Sequence, residues 1–145
     1  MKIFGYGTFI TSGIYQNFQH VRAAFLPGYV RILRPVDPFP YIIRAETKNQ
    51  SSGFWGLVFE VDVEGLKRLD FYEGGLYKRI HVDILYSDGA SESVMVYYPT
   101  QRVISQYHRL DYITDEDPWR TQLLDHPDII AEFPELGWKH PPKID

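Results

Sequence analysis

The stretch Trp55-Gly56-Leu57-Val58-Phe59-Glu60-Val61-Asp62-Val63-Glu64-Gly65-Leu66-Lys67-Arg68-Leu69-Asp70-Phe71-Tyr72-Glu73-Gly74-Gly75 decides the fold class. Its first half alternates with period two: Trp55, Leu57, Phe59 and Val61 fall on one face, and Gly56, Val58, Glu60 and Asp62 on the other. That is a strand ending at Asp62. From there the spacing changes to that of a helix over Val63 to Glu73, with Asp62 as N-cap, Glu64 in the first turn and Gly74-Gly75 as the stop. A strand running into a capped helix, followed by more strands, points to a mixed α+β domain.

Strands continue on both sides. Tyr77 to Tyr86 and Glu92 to Tyr98 alternate around Ser87-Asp88-Gly89-Ala90, whose Asp-Gly marks a tight hairpin. Upstream, Lys2 to Gly7 reads as a short strand breaking into a glycine-flanked turn, and Ser12 to Phe18 as a short helix capped at Ser12. Val21 to Arg34 reads as two strand pieces joined by a bend at Pro27-Gly28. Pro35, Pro38 and Pro40 form an irregular loop, Tyr41 to Ala45 a further strand, and Lys48 to Gly53 a polar turn. After Pro99 the pattern weakens: Gln101 to Tyr112 is mixed, and a helix runs from the Asp117-Pro118 cap through Leu124. The tail holding Ile129, Ile130, Phe133, Leu136 and Trp138 is apolar enough to pack on the domain or a neighbour, and Pro141-Pro142 marks a fraying end. The expectation is one domain over residues 1–145, a small mixed β-barrel with flanking short helices, with 100–145 a less regular extension packed on it.

Composition narrows the function classes. Lys and Arg number 15 against 19 Asp and Glu, a net charge of −4, which disfavours a nucleic-acid partner whose affinity rests on phosphate neutralisation. Aromatics make up 16% of the chain, ample to order a core. With no cysteine, disulfides, thiolate nucleophiles and Cys-ligated metals are excluded, and the cytoplasm is the expected compartment. No apolar run reaches membrane-spanning length, the opening residues lack an export-leader pattern, and the Asn49-Gln50-Ser51 sequon is therefore set aside. The Gly5-Tyr6-Gly7 start of a dinucleotide fingerprint stops at Ile10, and the 5 histidines show no close ligand spacing. No cofactor and no metal are expected.

Three features carry chemistry. Leu66, Leu69, Asp70 and Glu73 share one helical stripe, so Glu73 turns toward the core. Burial, the helix dipole and Asp70 would each raise its pKa toward that of a general base near neutrality. Equally, a residue in the last turn can rotate into water beside the two glycines. The turn Tyr6-Gly7-Thr8-Phe9 can offer backbone N–H groups to a carboxylate or oxyanion, or be a plain strand exit. Tyr77, Arg79 and His81 project from one strand face, where Arg79 either holds a substrate carboxylate or pairs with an acid such as Asp70.

Taken in order, Phe4-Gly5-Tyr6-Gly7-Thr8-Phe9, Leu26-Pro27-Gly28-Tyr29, Gly56 to Val61, Leu69-Asp70-Phe71-Tyr72-Glu73-Gly74 and Tyr77-Lys78-Arg79 resemble the gamma-glutamylcyclotransferase-like family, also called avirulence-induced-gene-like. The resemblance spans the chain up to Pro99. It implies a small mixed β-barrel with the active site in a cavity at its side. It matches Glu73 to the catalytic acid/base, Tyr6, Gly7, Thr8 and Phe9 to the substrate-binding turn, and Tyr77 to a tyrosine near the site; Tyr97 is similar in position, with Tyr98 one residue off. The turn's fourth residue is Phe9, where Leu or Asn is common in the family. The implied reaction is intramolecular acyl transfer on a γ-glutamyl amino acid or amine, releasing 5-oxoproline, with no cofactor and with Arg79 or Tyr77 holding the α-carboxylate end. Two other classes stay open: a non-catalytic small-molecule-binding or regulatory module on the same fold, and an interaction protein or homodimer that uses the C-terminal tail, including Trp119, Phe133 and Trp138, as a partner surface.

Overall fold

The computed structural model describes residues 1–32, 40–45, 53–107 and 117–143. Seven strands and five α-helices appear among them, in the order β1 (Lys2–Gly5), α1 (Thr8–Thr11), β2 (Gln19–Pro27), β3 (Tyr29–Ile32), β4 (Tyr41–Arg44), β5 (Gly53–Glu60), α2 (Val63–Glu73), β6 (Tyr77–Tyr86), β7 (Ser91–Pro99), α3 (Gln101–Tyr107), α4 (Pro118–Leu123) and α5 (Pro127–Glu132). The expected segments around Pro35 and Pro38, from Lys48 to Ser52 and from His108 to Tyr112 lie outside the described residues.

Five strands close a barrel in the order β1-β5-β2-β6-β7, and β3 with β4 forms a separate two-stranded sheet. β1 closes the ring: it pairs antiparallel with β5, Phe4 opposite Val58, and parallel with β7, Phe4 opposite Val96. The expected α+β barrel with short helices is the observed architecture. β5 explains why. One face, with Phe54 and Val58, joins Phe4, Ala24, Ile84, Val94 and Val96 in a cluster fed by all five barrel strands, the barrel interior. The other, with Trp55, Leu57, Phe59 and Val61, packs against Leu66 and Leu69 of α2 and against Trp119, Leu123 and Leu136 of the C-terminal extension. A strand buried on both faces reads as near-continuous apolar sequence, as Phe54 to Phe59 does. Gly56 sits inside because a Cβ there would lie 2.5 Å from the Gly5 carbonyl oxygen and 2.6 Å from the Phe4 ring.

The bend at Pro27-Gly28 does more than kink one strand. Gly28, at φ 81°, sends the chain out of the barrel into the small β3–β4 sheet. The β6–β7 hairpin turns at Asp88-Gly89, with Gly89 N donating to the Tyr86 carbonyl at 2.9 Å. One expected element is corrected: Ser12 to Phe18 is not a capped helix. The chain forms α1 earlier, over Thr8–Thr11, passes Gly13 at φ 77°, and makes a 3-10 turn over Ile14–Asn17, so Ser12 ends a helix instead of starting one. Among the described residues no helix is long and apolar enough to cross a membrane.

Candidate active site

The position of Glu73 follows from the two ends of α2. The Asp62 carboxylate accepts from Gly65 N at 2.7 Å and starts the helix, and Gly74, at φ 67°, ends it with its N–H bonded to the Asp70 carbonyl. Between these caps Leu66 and Leu69 are buried, so the stripe they define carries Glu73 inward in the last turn. Burial of the half-buried carboxyl raises its pKa from 4.5 to about 7. Burial is the cause. Asp70 is occupied elsewhere: it lies 3.0 Å from Arg79 Nε and accepts from the Tyr97 hydroxyl at 2.6 Å.

β1 leads into the second half of the site. The Tyr6 hydroxyl donates to the Tyr97 carbonyl at 2.8 Å, and the Tyr6 carbonyl accepts from Arg31 Nη1 at 2.7 Å, so this residue is held at both ends. Its phenol, fully enclosed, has its pKa pushed well above the ordinary range by burial. Gly7 follows as the N-cap of α1, its carbonyl accepting from Ile10 N at 2.9 Å. A Cβ at Gly7 would stand 2.7 Å from Pro40 Cγ, so only glycine passes there without displacing the proline. The residues expected to form an open strand exit thus cap a short helix, whose first N–H groups have no partner within it.

Between these halves lies a cavity of about 280 Å³. Of the eight residues expected at the site, Glu73, Tyr6, Gly7, Thr8, Phe9, Tyr77 and Tyr97 line it. Tyr97 lines it and Tyr98 does not, since neighbours on β7 face opposite ways: Tyr98 packs edge-on against Tyr29 instead. The Tyr97 hydroxyl is held protonated by burial and by its bond to Asp70. Arg79 is not among the lining residues. Its guanidinium sits on Asp70, with Nη1 3.5 Å from Met95 Sδ, which is the pairing the sequence left as the alternative to carboxylate binding.

Four further residues line the cavity that the sequence did not assign to the site: Phe4 and Tyr72, which lie within the motifs that carry the resemblance, and Pro40 and Leu76. Tyr72 precedes Glu73 but points to the side, and its hydroxyl donates to Thr8 Oγ1 at 3.2 Å while its ring meets Phe9 at 5.7 Å. This contact joins the end of α2 to the start of α1 across the cavity. Phe9 in turn meets Tyr97 edge-on at 5.8 Å. Among the described residues no group of three His, Asp or Glu is arranged to hold a metal ion. The arrangement offers one carboxyl titrating near neutrality, the turn that starts α1, and aromatic rings around one cavity, which suits a proton transfer.

A family model described as gamma-glutamyl cyclotransferase, AIG2-like, matches residues 3–121. No curated protein sequence matches the chain. Among solved structures, an Arabidopsis thaliana protein determined in solution is 22% identical with a TM-score of 0.63, covering 90% of this chain and 86% of its own. A mouse AIG2-like protein is 16% identical with a TM-score of 0.55, over 81% of this chain and 90% of its own. A yeast gamma-glutamyl cyclotransferase specific to glutathione is 15% identical with a TM-score of 0.59, over 92% of this chain and 88% of its own. At such identities the structural likeness speaks for the fold.

Proposed function

Because this chain belongs to the gamma-glutamyl cyclotransferase, AIG2-like family, we propose that it catalyses intramolecular acyl transfer on a γ-glutamyl amino acid or amine, with Glu73 as general acid/base. The observation that carries the reading is the Glu73 carboxyl, titrating at about 7, on the wall of the cavity that the Tyr6 to Phe9 turn also lines.

The ionised carboxylate takes a proton from the substrate's α-ammonium. The freed amine attacks the γ-carbonyl carbon, forming the ring C–N bond and an oxyanion. The ring nitrogen, which carries two hydrogens after the attack, gives up one of them as the oxyanion collapses and the bond to the departing nitrogen breaks; that nitrogen takes up this proton and the one Glu73 returns, and leaves as the ammonium of the amine or amino acid beside 5-oxoproline. The two protons lost by the α-ammonium are the two gained by the leaving group, so no further reactant is needed. Closure of a five-membered ring supplies a very high effective concentration of nucleophile, so the protein's tasks are to fold the substrate, move one proton and steady one oxyanion. Backbone N–H groups of the Tyr6 to Phe9 turn serve the substrate oxygens, and Tyr77 approaches the α-carboxylate end. Arg79, committed to Asp70, has no direct part.

The test is to incubate the protein with γ-glutamyl dipeptides, γ-glutamyl amines and glutathione and to quantify 5-oxoproline. Release from at least one class supports the reading, and the best substrate names the leaving group. A folded protein that binds 5-oxoproline but releases none from any of them is a binding module.

A further inference from the structure

Among the described residues one charged side chain is buried, that of Arg31 on β3, only 1% exposed. A guanidinium out of water needs partners for its fork of N–H groups. Arg31 finds them on two sides. Its Nε donates to both carboxylate oxygens of Asp117 at 3.1 and 3.0 Å, and Nη2 donates to the same carboxylate. Nη1 turns the other way and donates to the Tyr6 carbonyl at 2.7 Å, while the Phe54 ring covers the guanidinium at 4.6 Å. Asp117 is itself anchored as the N-cap of α4, accepting from Arg120 N at 3.3 Å.

The Tyr6 carbonyl belongs to the same planar peptide unit as the Gly7 N–H. Holding that oxygen therefore fixes the direction of the Gly7 N–H on the opposite side, and both residues line the cavity. An apolar pair would anchor α4 as well; the Arg31 guanidinium adds a bond to the Tyr6 carbonyl that an apolar pair could not make. We propose that the Arg31–Asp117 pair is a positioning device for the acyl-transfer site, through which the C-terminal extension sets the orientation of the Tyr6–Gly7 peptide. This rests on the reading of the turn as the substrate's oxygen-binding wall.

The test variant is Arg31→Met combined with Asp117→Asn. It removes both charges, fills the volume of the arginine stem and keeps a capping oxygen for Arg120 N. With the fold verified by circular dichroism, two readouts are compared with wild type: the kinetics of 5-oxoproline release, and the ¹⁵N–¹H resonances of Gly7 and Thr8. The expected result is a kcat at least tenfold lower with KM changed less than threefold, together with shifted Gly7 and Thr8 resonances; these magnitudes are order-of-magnitude, roughly those of losing one oxyanion donor. A wild-type kcat, or unmoved Gly7 and Thr8 resonances, overturns the proposal. Should the double variant fail to fold, Asp117→Asn alone is read by the same two criteria. If wild-type protein releases nothing from any γ-glutamyl compound, the functional reading falls separately, and the Gly7 and Thr8 resonances alone decide the positioning role.

Discussion

A carboxyl that titrates at about 7 while half-buried is a cost to the fold as well as a tool. Its folded-state value lies above its ordinary 4.5, so folding favours the protonated form: the stability it contributes is present below pH 4.5 and is lost as pH rises through about 7. Glu73→Gln removes this dependence, and urea titrations are expected to show the variant gaining on wild type between those limits, by of the order of 3 kcal/mol above pH 7. The same substitution should lower turnover by roughly 10²–10⁴-fold, the ordinary worth of a positioned acid/base, with the fold intact. Stability gained where activity is lost is the mark of a functional carboxylate. Tyr97→Phe acts differently: it takes the donor at 2.6 Å from Asp70, which keeps Arg79, so a loss of about 1.5 kcal/mol is expected in chemical denaturation. The stripe of α2 pointed Glu73 inward, because caps and periodicity are local, but left it free to turn into water; its role came only from the family resemblance. The neighbouring Tyr72 was not legible, since its partner Thr8 lies 64 residues away and no spacing encodes that contact.

At the scale of elements, α2 is bounded where its residues say it should be, Val63–Glu73, because both ends are written in side chains: an Asp62 cap and a positive-φ Gly74. Gly74→Ala forces a Cβ into a backbone at φ 67°, ψ −160°, a region open essentially to glycine, and is expected to cost about 1–3 kcal/mol, although nothing lies within 4 Å of the new atom. Gly75→Ala, equally uncrowded and without a positive φ, is the control and should be neutral in the same thermal melts. The β6–β7 hairpin was legible for a similar reason, an Asp-Gly turn between alternating runs; its second strand extends one residue further at each end than the alternation indicates, over Ser91–Pro99. α1 was missed because four residues are too few for any helical period to show. Arg31 was missed for the opposite reason: in Tyr29-Val30-Arg31-Ile32 an arginine reads as an exposed position, and only a partner 86 residues later makes its burial tolerable.

At the scale of the whole molecule, the described part of the C-terminal extension packs into the core beside the barrel. Trp119, Leu123 and Leu136 are buried with Trp55 and Phe59 of β5, the Trp55 indole donates to the His140 carbonyl at 2.8 Å, and Trp138 meets Trp55 edge-on at 5.4 Å. Trp119 and Phe133, considered from sequence as a partner surface, therefore face the chain's own barrel, and Trp138 keeps 39% of its surface exposed. Apolarity announced that the tail packs, but apolar residues do not name their partner. A chain ending at residue 107 uncovers this side of β5, and with each lost Leu or Trp worth about 2–5 kcal/mol against a total of about 5–15, it is expected to show no cooperative thermal transition. The proposed reaction places the Glu73 carboxyl, titrating at about 7, against a γ-glutamyl substrate. The most direct measurement is the pH dependence of kcat/KM for 5-oxoproline release by wild type and Glu73→Gln on the best γ-glutamyl substrate. A wild-type rate that rises with an apparent pKa of about 7, and a Glu73→Gln variant that is folded and lacks both the rate and that limb, is the predicted result; full activity in Glu73→Gln with the same pH profile would contradict the account.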